Sequence, residues 1–155
     1  MSEVIKTGEQ IKDFKLKDQN ENQVNLSDFT GQKVLLSFHP LAWTSVCGNQ
    51  MSTLEDNKEK FDKLNTVALG ISVDPAPSKN AWADKLNVKE TRLLSDFWPH
   101  GGLAKSLGIF REEDGFSERA NILIDEDGKV IWSKVYDILK QPDIEEVINV
   151  IKDNS

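Results

Sequence analysis

Hydrophobic and polar positions along the chain switch between two periods. Phe14 to Leu16 and Gln23 to Leu26 alternate around the polar turn Asp18-Gln19-Asn20-Glu21-Asn22, which predicts an N-terminal β-hairpin. Residues 27–33 read as a turn or short helix. Val34-Leu35-Leu36-Ser37-Phe38 is continuous rather than alternating, the mark of a strand buried on both faces. From Val46 to about Leu64, Met51, Leu54, Phe61 and Leu64 form one apolar helical stripe with charges opposite. Residues 66–73 read as a second core strand, closed by Asp74-Pro75-Ala76-Pro77. A helix starting near Pro77 and Ser78 carries Trp82 and Leu86. Leu93 and Leu94 mark a short strand, and Gly101 to Leu107 a short helix closed by Gly108. Residues 120–124 and 130–135 flank Asp125-Glu126-Asp127-Gly128, a strong hairpin signal. Pro142 and Asp143 open a last helix bearing Ile144, Val147, Ile148 and Ile151.

The order β-β-β-α-β-α-β-α-β-β-α predicts an α/β fold with helices covering a central mixed sheet. No repeat or linker interrupts it, so residues 1–155 are expected to form a single domain. Functional groups in such sheets lie beyond the carboxyl ends of the strands. The segment Pro40 to Cys47 falls there.

Composition narrows the chemistry. A net charge of −7 without a basic stripe argues against nucleic acid, because phosphate neutralisation needs clustered Lys and Arg. No apolar run approaches the roughly 18 residues that span a membrane. Met1-Ser2-Glu3-Val4-Ile5-Lys6 has no apolar signal core, so the expected location is the cytoplasm. The single cysteine excludes an internal disulfide, and with only His39 and His100 beside it a metal site is not expected.

That cysteine, Cys47, stands where an apolar strand gives way to a helix. Helix N-termini favour the thiolate over the thiol, and the thiolate is the form that attacks. Thr44, three residues upstream, can place a hydroxyl near the sulfur, either donating to it or accepting from a substrate O–H. On its own it reads equally as the helix N-cap. Pro40 has a fixed φ and no N–H, so it turns the chain off the strand and can shield the sulfur from water. Three arginines occur among 19 basic residues, and Arg92 and Arg111 read as surface positions. Arg119, beside a predicted core strand, would be costly to bury without a partner.

Pro40, Thr44 and Cys47 stand as Pro-x3-Thr-x2-Cys, which resembles the signature of the peroxiredoxins, thiol peroxidases on a thioredoxin-like fold. The resemblance spans nearly the whole chain. Asn22 to Phe29 with Gly31 and Lys33, Ile71-Ser72-Val73-Asp74, and Arg119 before Ala120-Asn121-Ile122-Leu123-Ile124-Asp125 all match the family's pattern. His39-Pro40-Leu41-Ala42-Trp43-Thr44 and Ser95-Asp96-Phe97-Trp98-Pro99-His100-Gly101 are most similar to the alkyl hydroperoxide reductase E type.

The resemblance implies that Cys47 attacks a peroxide and becomes a sulfenic acid. Arg119 would then contact both sulfur and peroxide, Thr44 would orient the substrate, and the Val46 and Cys47 N–H groups would hold an oxygen. No cofactor is implied. With no second cysteine, the sulfenic acid is expected to be reduced by an external thiol, either a low-molecular-weight thiol or a thioredoxin- or glutaredoxin-like protein. The Gly-Gly-Leu-Gly and C-terminal Tyr-Phe features linked to easy over-oxidation are missing. A homodimer packed through loops near the site is implied, with Trp98 and Pro99 at the contact. Trp43 is a candidate for a substrate pocket.

Two other readings compete. Cys47 paired with His39 or His100 would make a hydrolase or acyl-transferase. A Cys47 that only reports oxidation would make a redox sensor or chaperone-like module.

Overall fold

The alternating N-terminal segments pair as an antiparallel hairpin, β1 (Lys15–Lys17) with β2 (Gln23–Asn25), in which Leu16 faces Val24. The computed structural model describes residues 3–155; the first two residues of the N-terminal stretch considered above lie outside them. A 3₁₀ turn (Leu26–Phe29) leads into β3 (Lys33–Phe38), whose six residues are all buried. There follow α1 (Ser45–Asp56), α2 (Lys58–Lys63), β4 (Thr66–Ser72), α3 (Ala76–Leu86), β5 (Arg92–Ser95) and α4 (Gly102–Ser106). The chain closes with β6 (Phe110–Arg111), β7 (Phe116–Ser117), β8 (Arg119–Ile124), β9 (Val130–Tyr136) and α5 (Ile144–Asp153).

Seven strands form one sheet in the order β2-β1-β5-β4-β3-β8-β9. β3 and β5 run parallel to β4, whereas β8 is antiparallel to β3 and β9 to β8, so the sheet is mixed. This is the mixed central sheet that the order of elements predicts. Side chains alternate across each strand. Val34, Leu36 and Phe38 pack on one face with Leu103, Leu107 and Ile109 around α4. Leu35 packs on the other with Met51 and Leu54 of α1, Trp82 of α3, and Val147, Ile148 and Ile151 of α5. Cys47 belongs to this second cluster.

Two details differ from the periodicity reading. The stripe from Val46 to Leu64 is two helices, broken at Asn57, where φ and ψ are −106° and 13°. The Asn57 side-chain amide donates to the Thr53 carbonyl at 2.8 Å, and such local bonds compete with the helical ladder. The ribbon of β6 and β7 was also not anticipated. It turns at Asp114-Gly115, with Gly115 at φ +78°, and its strands of two residues are too short to show a period.

Candidate functional site

β3 carries the chain out of the sheet through buried His39 and Pro40. Trp43 adopts φ +70°, a conformation bulky residues avoid, and its indole N–H donates to Ser78 Oγ of α3 at 3.0 Å. Thr44 follows as the residue before α1, with extended φ and ψ of −106° and 150°. Its carbonyl accepts the Gly48 N–H at 2.9 Å, so the N–H groups of Ser45, Val46 and Cys47 precede the helical ladder. The Thr44 hydroxyl does not cap the helix; it donates to the Leu41 carbonyl at 3.0 Å. Its proton is thereby committed, which leaves its lone pairs as acceptors.

Cys47 lies in the first turn of α1 and is only 1% exposed. Arg119, at the start of β8, is 3% exposed. Its Nη1 donates to Cys47 Sγ at 3.3 Å and to Gln50 Oε1 at 2.7 Å. Nε and Nη2 both donate to the Ile138 carbonyl, at 3.0 and 2.7 Å. A guanidinium has five N–H bonds. Four are therefore occupied, and one on Nη2 has no partner among the described residues.

Among the described residues no carboxylate lies within 4.0 Å of Arg119; the ion pairs involve other residues. A buried guanidinium without a carboxylate needs another negative partner. The sulfur that it touches becomes one on losing its proton.

Gln50 was not anticipated. It sits three residues after Cys47 on the same helix face, buried, with Nε2 donating to Ser37 Oγ at 2.8 Å and to the Phe38 carbonyl at 3.2 Å. Its Oε1 is thereby aimed at Arg119. The available signal was a lone amide in an apolar stripe of Cys47, Met51 and Leu54. Ile138 acts through its carbonyl, for which the sequence carries no sign.

Neither histidine pairs with the sulfur. His39 is fully buried, with Nε2 3.3 Å from Lys79 Nζ. Burial, then the charges of Lys79 and Arg119, hold its pKa well below the usual histidine value. His100 meets the Gly115 carbonyl at 2.7 Å and packs edge-on against Phe97 and Phe110. Arg92 is exposed, and Arg111 pairs with Asp114 and Glu118, as surface residues do. Among the described residues no group of three or more His, Cys, Asp or Glu side chains could hold a metal.

The AhpC/TSA family model matches residues 7–133. The chain belongs to that family, the peroxiredoxins. As a peroxiredoxin it is a thiol-dependent peroxidase, and its single cysteine fits a one-cysteine mechanism. Alkyl hydroperoxide reductase E of Mycobacterium tuberculosis is 36% identical over 140 residues, covering 90% of this chain and 88% of the relative. Peroxiredoxin Bcp of Escherichia coli is 35% identical over 159 residues, covering 97% of this chain and 98% of the relative. Among solved structures, peroxidoxin BcpB from Mycobacterium tuberculosis superposes with a TM-score of 0.86 at 25% identity, covering 97% of this chain and 99% of that one. The reduced 2-Cys peroxiredoxin of Plasmodium vivax also gives a TM-score of 0.86, at 30% identity, covering 94% of this chain and 80% of that one.

Proposed function

We propose that Cys47 is the thiol of this peroxidase and that Arg119, Thr44 and Pro40 serve it directly. The observation that carries the reading is the buried Arg119 guanidinium, without a carboxylate and 3.3 Å from Cys47 Sγ. The thiolate attacks the terminal oxygen of a hydroperoxide. An S–O bond forms as the O–O bond breaks, and the departing alkoxide takes a proton to leave as alcohol, or water from hydrogen peroxide. Charge moves from sulfur to the leaving oxygen, and fixed donors aimed at that oxygen lower the barrier. The unpartnered Nη2–H of Arg119 and the N–H groups of Val46 and Cys47 are such donors. Thr44, its own proton given to Leu41, accepts the peroxide O–H and orients it. Pro40 and Trp43 wall the loop.

Cys47 sulfenic acid then reacts with an external thiol, releasing water and forming a mixed disulfide. A second thiol displaces Cys47 as thiolate and leaves as the disulfide. The reductant is a low-molecular-weight thiol or a thioredoxin- or glutaredoxin-like protein. The substrates are hydrogen peroxide, organic hydroperoxides or peroxynitrite. A lone free thiol suits a reducing compartment, the cytoplasm, and thiol trapping in fractionated cells checks that placement. Among the described residues no helix is long and apolar enough to cross a membrane. Residues 1–155 act as one domain, a reading supported by relatives matched over most of their own length.

Stopped-flow tryptophan fluorescence on mixing reduced protein with peroxide tests the centre of this reading. A fast second-order change is expected, absent in Cys47→Ser and largely lost in Thr44→Val. A wild-type rate no faster than free cysteine would overturn it.

The chain also pairs as a homodimer. Trp98 is 80% exposed and Phe97 48%, a pair of aromatic rings open to a partner. Sedimentation equilibrium should give twice the 17.5 kDa chain mass, reverting to one in Trp98→Ser. A wild-type monomer at micromolar concentration would dismiss the dimer.

A further inference from the structure

Lys79 of α3 is fully buried, yet the roles above leave it unused. Among the described residues no carboxylate lies within 4.0 Å of its Nζ. Nζ instead faces His39 Nε2 at 3.3 Å, hydrogen-bonds Ser72 Oγ, and lies 5.8 Å from the centre of the Trp82 ring. The Ser72 hydroxyl donates to Asp74 Oδ2 at 2.6 Å, and the same oxygen accepts the Ala42 N–H at 2.8 Å. A polar chain therefore runs from the core of α3 to the loop between Pro40 and Thr44. Packing alone does not call for an amine here, because an apolar side chain of similar volume commonly replaces a buried charge without loss.

We propose that Lys79 is a positioning residue for the peroxidatic thiol, holding a second, titratable positive charge behind the Cys47 loop. This inference rests on Cys47 being that thiol.

The charged and titratable groups around Lys79 come from β3, β4, α1 and β8, while β5, which packs on α3, carries only the exposed Arg92. His39 follows β3, Asp74 follows β4, Cys47 is on α1, and Arg119 of β8 adds its charge to that of Lys79 on His39. His39 Nδ1 makes no hydrogen bond, although the Ser37 carbonyl mildly favours a proton on the ring. Between two cations, the imidazole stays neutral and accepts from Nζ. Burial lowers the Lys79 pKa to about 7, while Asp74 and Cys47 pull it back up. Coupling of this kind is reciprocal. An ammonium held behind the loop, tied through Ser72 and Asp74 to the Ala42 N–H, favours a negative charge on the sulfur five residues further on.

The test reads the thiolate share of reduced protein against pH by its absorbance near 240 nm. In Lys79→Met the midpoint should move up by about half a pH unit or more, about threefold in thiolate below the midpoint. The rate with hydrogen peroxide should fall by the same factor there and recover at high pH. A merely structural role would lower the rate at every pH and leave the midpoint in place. Coincident midpoints in a folded Lys79→Met would overturn the proposal.

Should that variant not fold, carbon-13 NMR of lysine Cε compares wild type with Cys47→Ser. A signal titrating near neutrality, far from the roughly 10.4 of ordinary lysines, should move to lower pH when the sulfur is removed. An unmoved signal would equally refute the coupling. Peroxidase turnover by Cys47→Ser at the wild-type rate would instead refute the role of Cys47, so the two failures are distinguishable.

Discussion

At the scale of single residues, the site is an exercise in satisfying one buried guanidinium. Arg119 has no carboxylate partner among the described residues, so its direction is set by neutral acceptors, the Ile138 carbonyl and Gln50 Oε1, and its charge is left for the sulfur. Gln50 is itself held by Ser37 and the Phe38 carbonyl, which makes it the link between the sheet and the arginine. Gln50→Leu preserves bulk but removes the acceptor that Nη1 meets at 2.7 Å. Arg119 would then be free to rotate away from Cys47, because one strong charge-assisted hydrogen bond, about 1.5–3 kcal/mol, is gone. The second-order rate with peroxide is expected to fall at least tenfold while the fold persists. Unchanged peroxide kinetics in a folded Gln50→Leu would show that the Ile138 carbonyl suffices to aim Arg119.

At the scale of elements, the site depends on how closely α1 lies on the sheet. β4 carries Gly70 where α1 presents Met51. A Cβ built at Gly70 would overlap Met51 Sδ and come within 2.9 Å of Leu93 Cδ2. Met51 is one helical turn beyond Cys47, so any lift of α1 at Met51 displaces the thiol from Arg119. Gly70→Ala is expected to destabilise the protein by about 1–3 kcal/mol, the usual penalty for overpacking. Urea unfolding measures the first effect and the peroxide rate the second. A variant as stable and as fast as wild type would mean that Met51 finds another rotamer without moving the helix. The break at Asn57 belongs to the same scale: the helix that carries Cys47 is twelve residues long, and α2 packs Phe61 separately beneath β4. Periodicity alone joined the two because the apolar stripe continues in phase across the break.

At the scale of the whole molecule, legibility followed the type of interaction. Strands such as Val34 to Phe38 and the amphipathic α5 were readable because burial repeats with a period. Pro40, Thr44, Cys47 and Arg119 stood out in the sequence because they keep a recognisable spacing or lie beside a core strand. The partners that depend on contacts far apart in sequence were not. Gln50 to Arg119 spans 69 residues and Lys79 to His39 spans 40, and no local pattern announces either. The helix that carries Lys79 announced itself only through Trp82 and Leu86, yet Lys79 is fully buried beside them. That burial has a consequence for stability that belongs to the entire fold. The ordinary lysine value of 10.5 applies to the unfolded chain, whereas in the folded protein burial brings Lys79 to about 7. Between those values the unfolded chain holds more protons, so stability rises with pH, by up to about 1.4 kcal/mol per unit from this group. Below about pH 7 both states are protonated and the penalty is constant. Lys79→Met lacks the group and hence this slope. Urea unfolding at pH 6 and pH 10 should show Lys79→Met gaining on wild type by a few kcal/mol more at the lower pH. A difference between the two proteins that stays the same at both values would mean that Lys79 keeps its proton in the fold, its burial fully offset by Asp74 and the Cys47 thiolate.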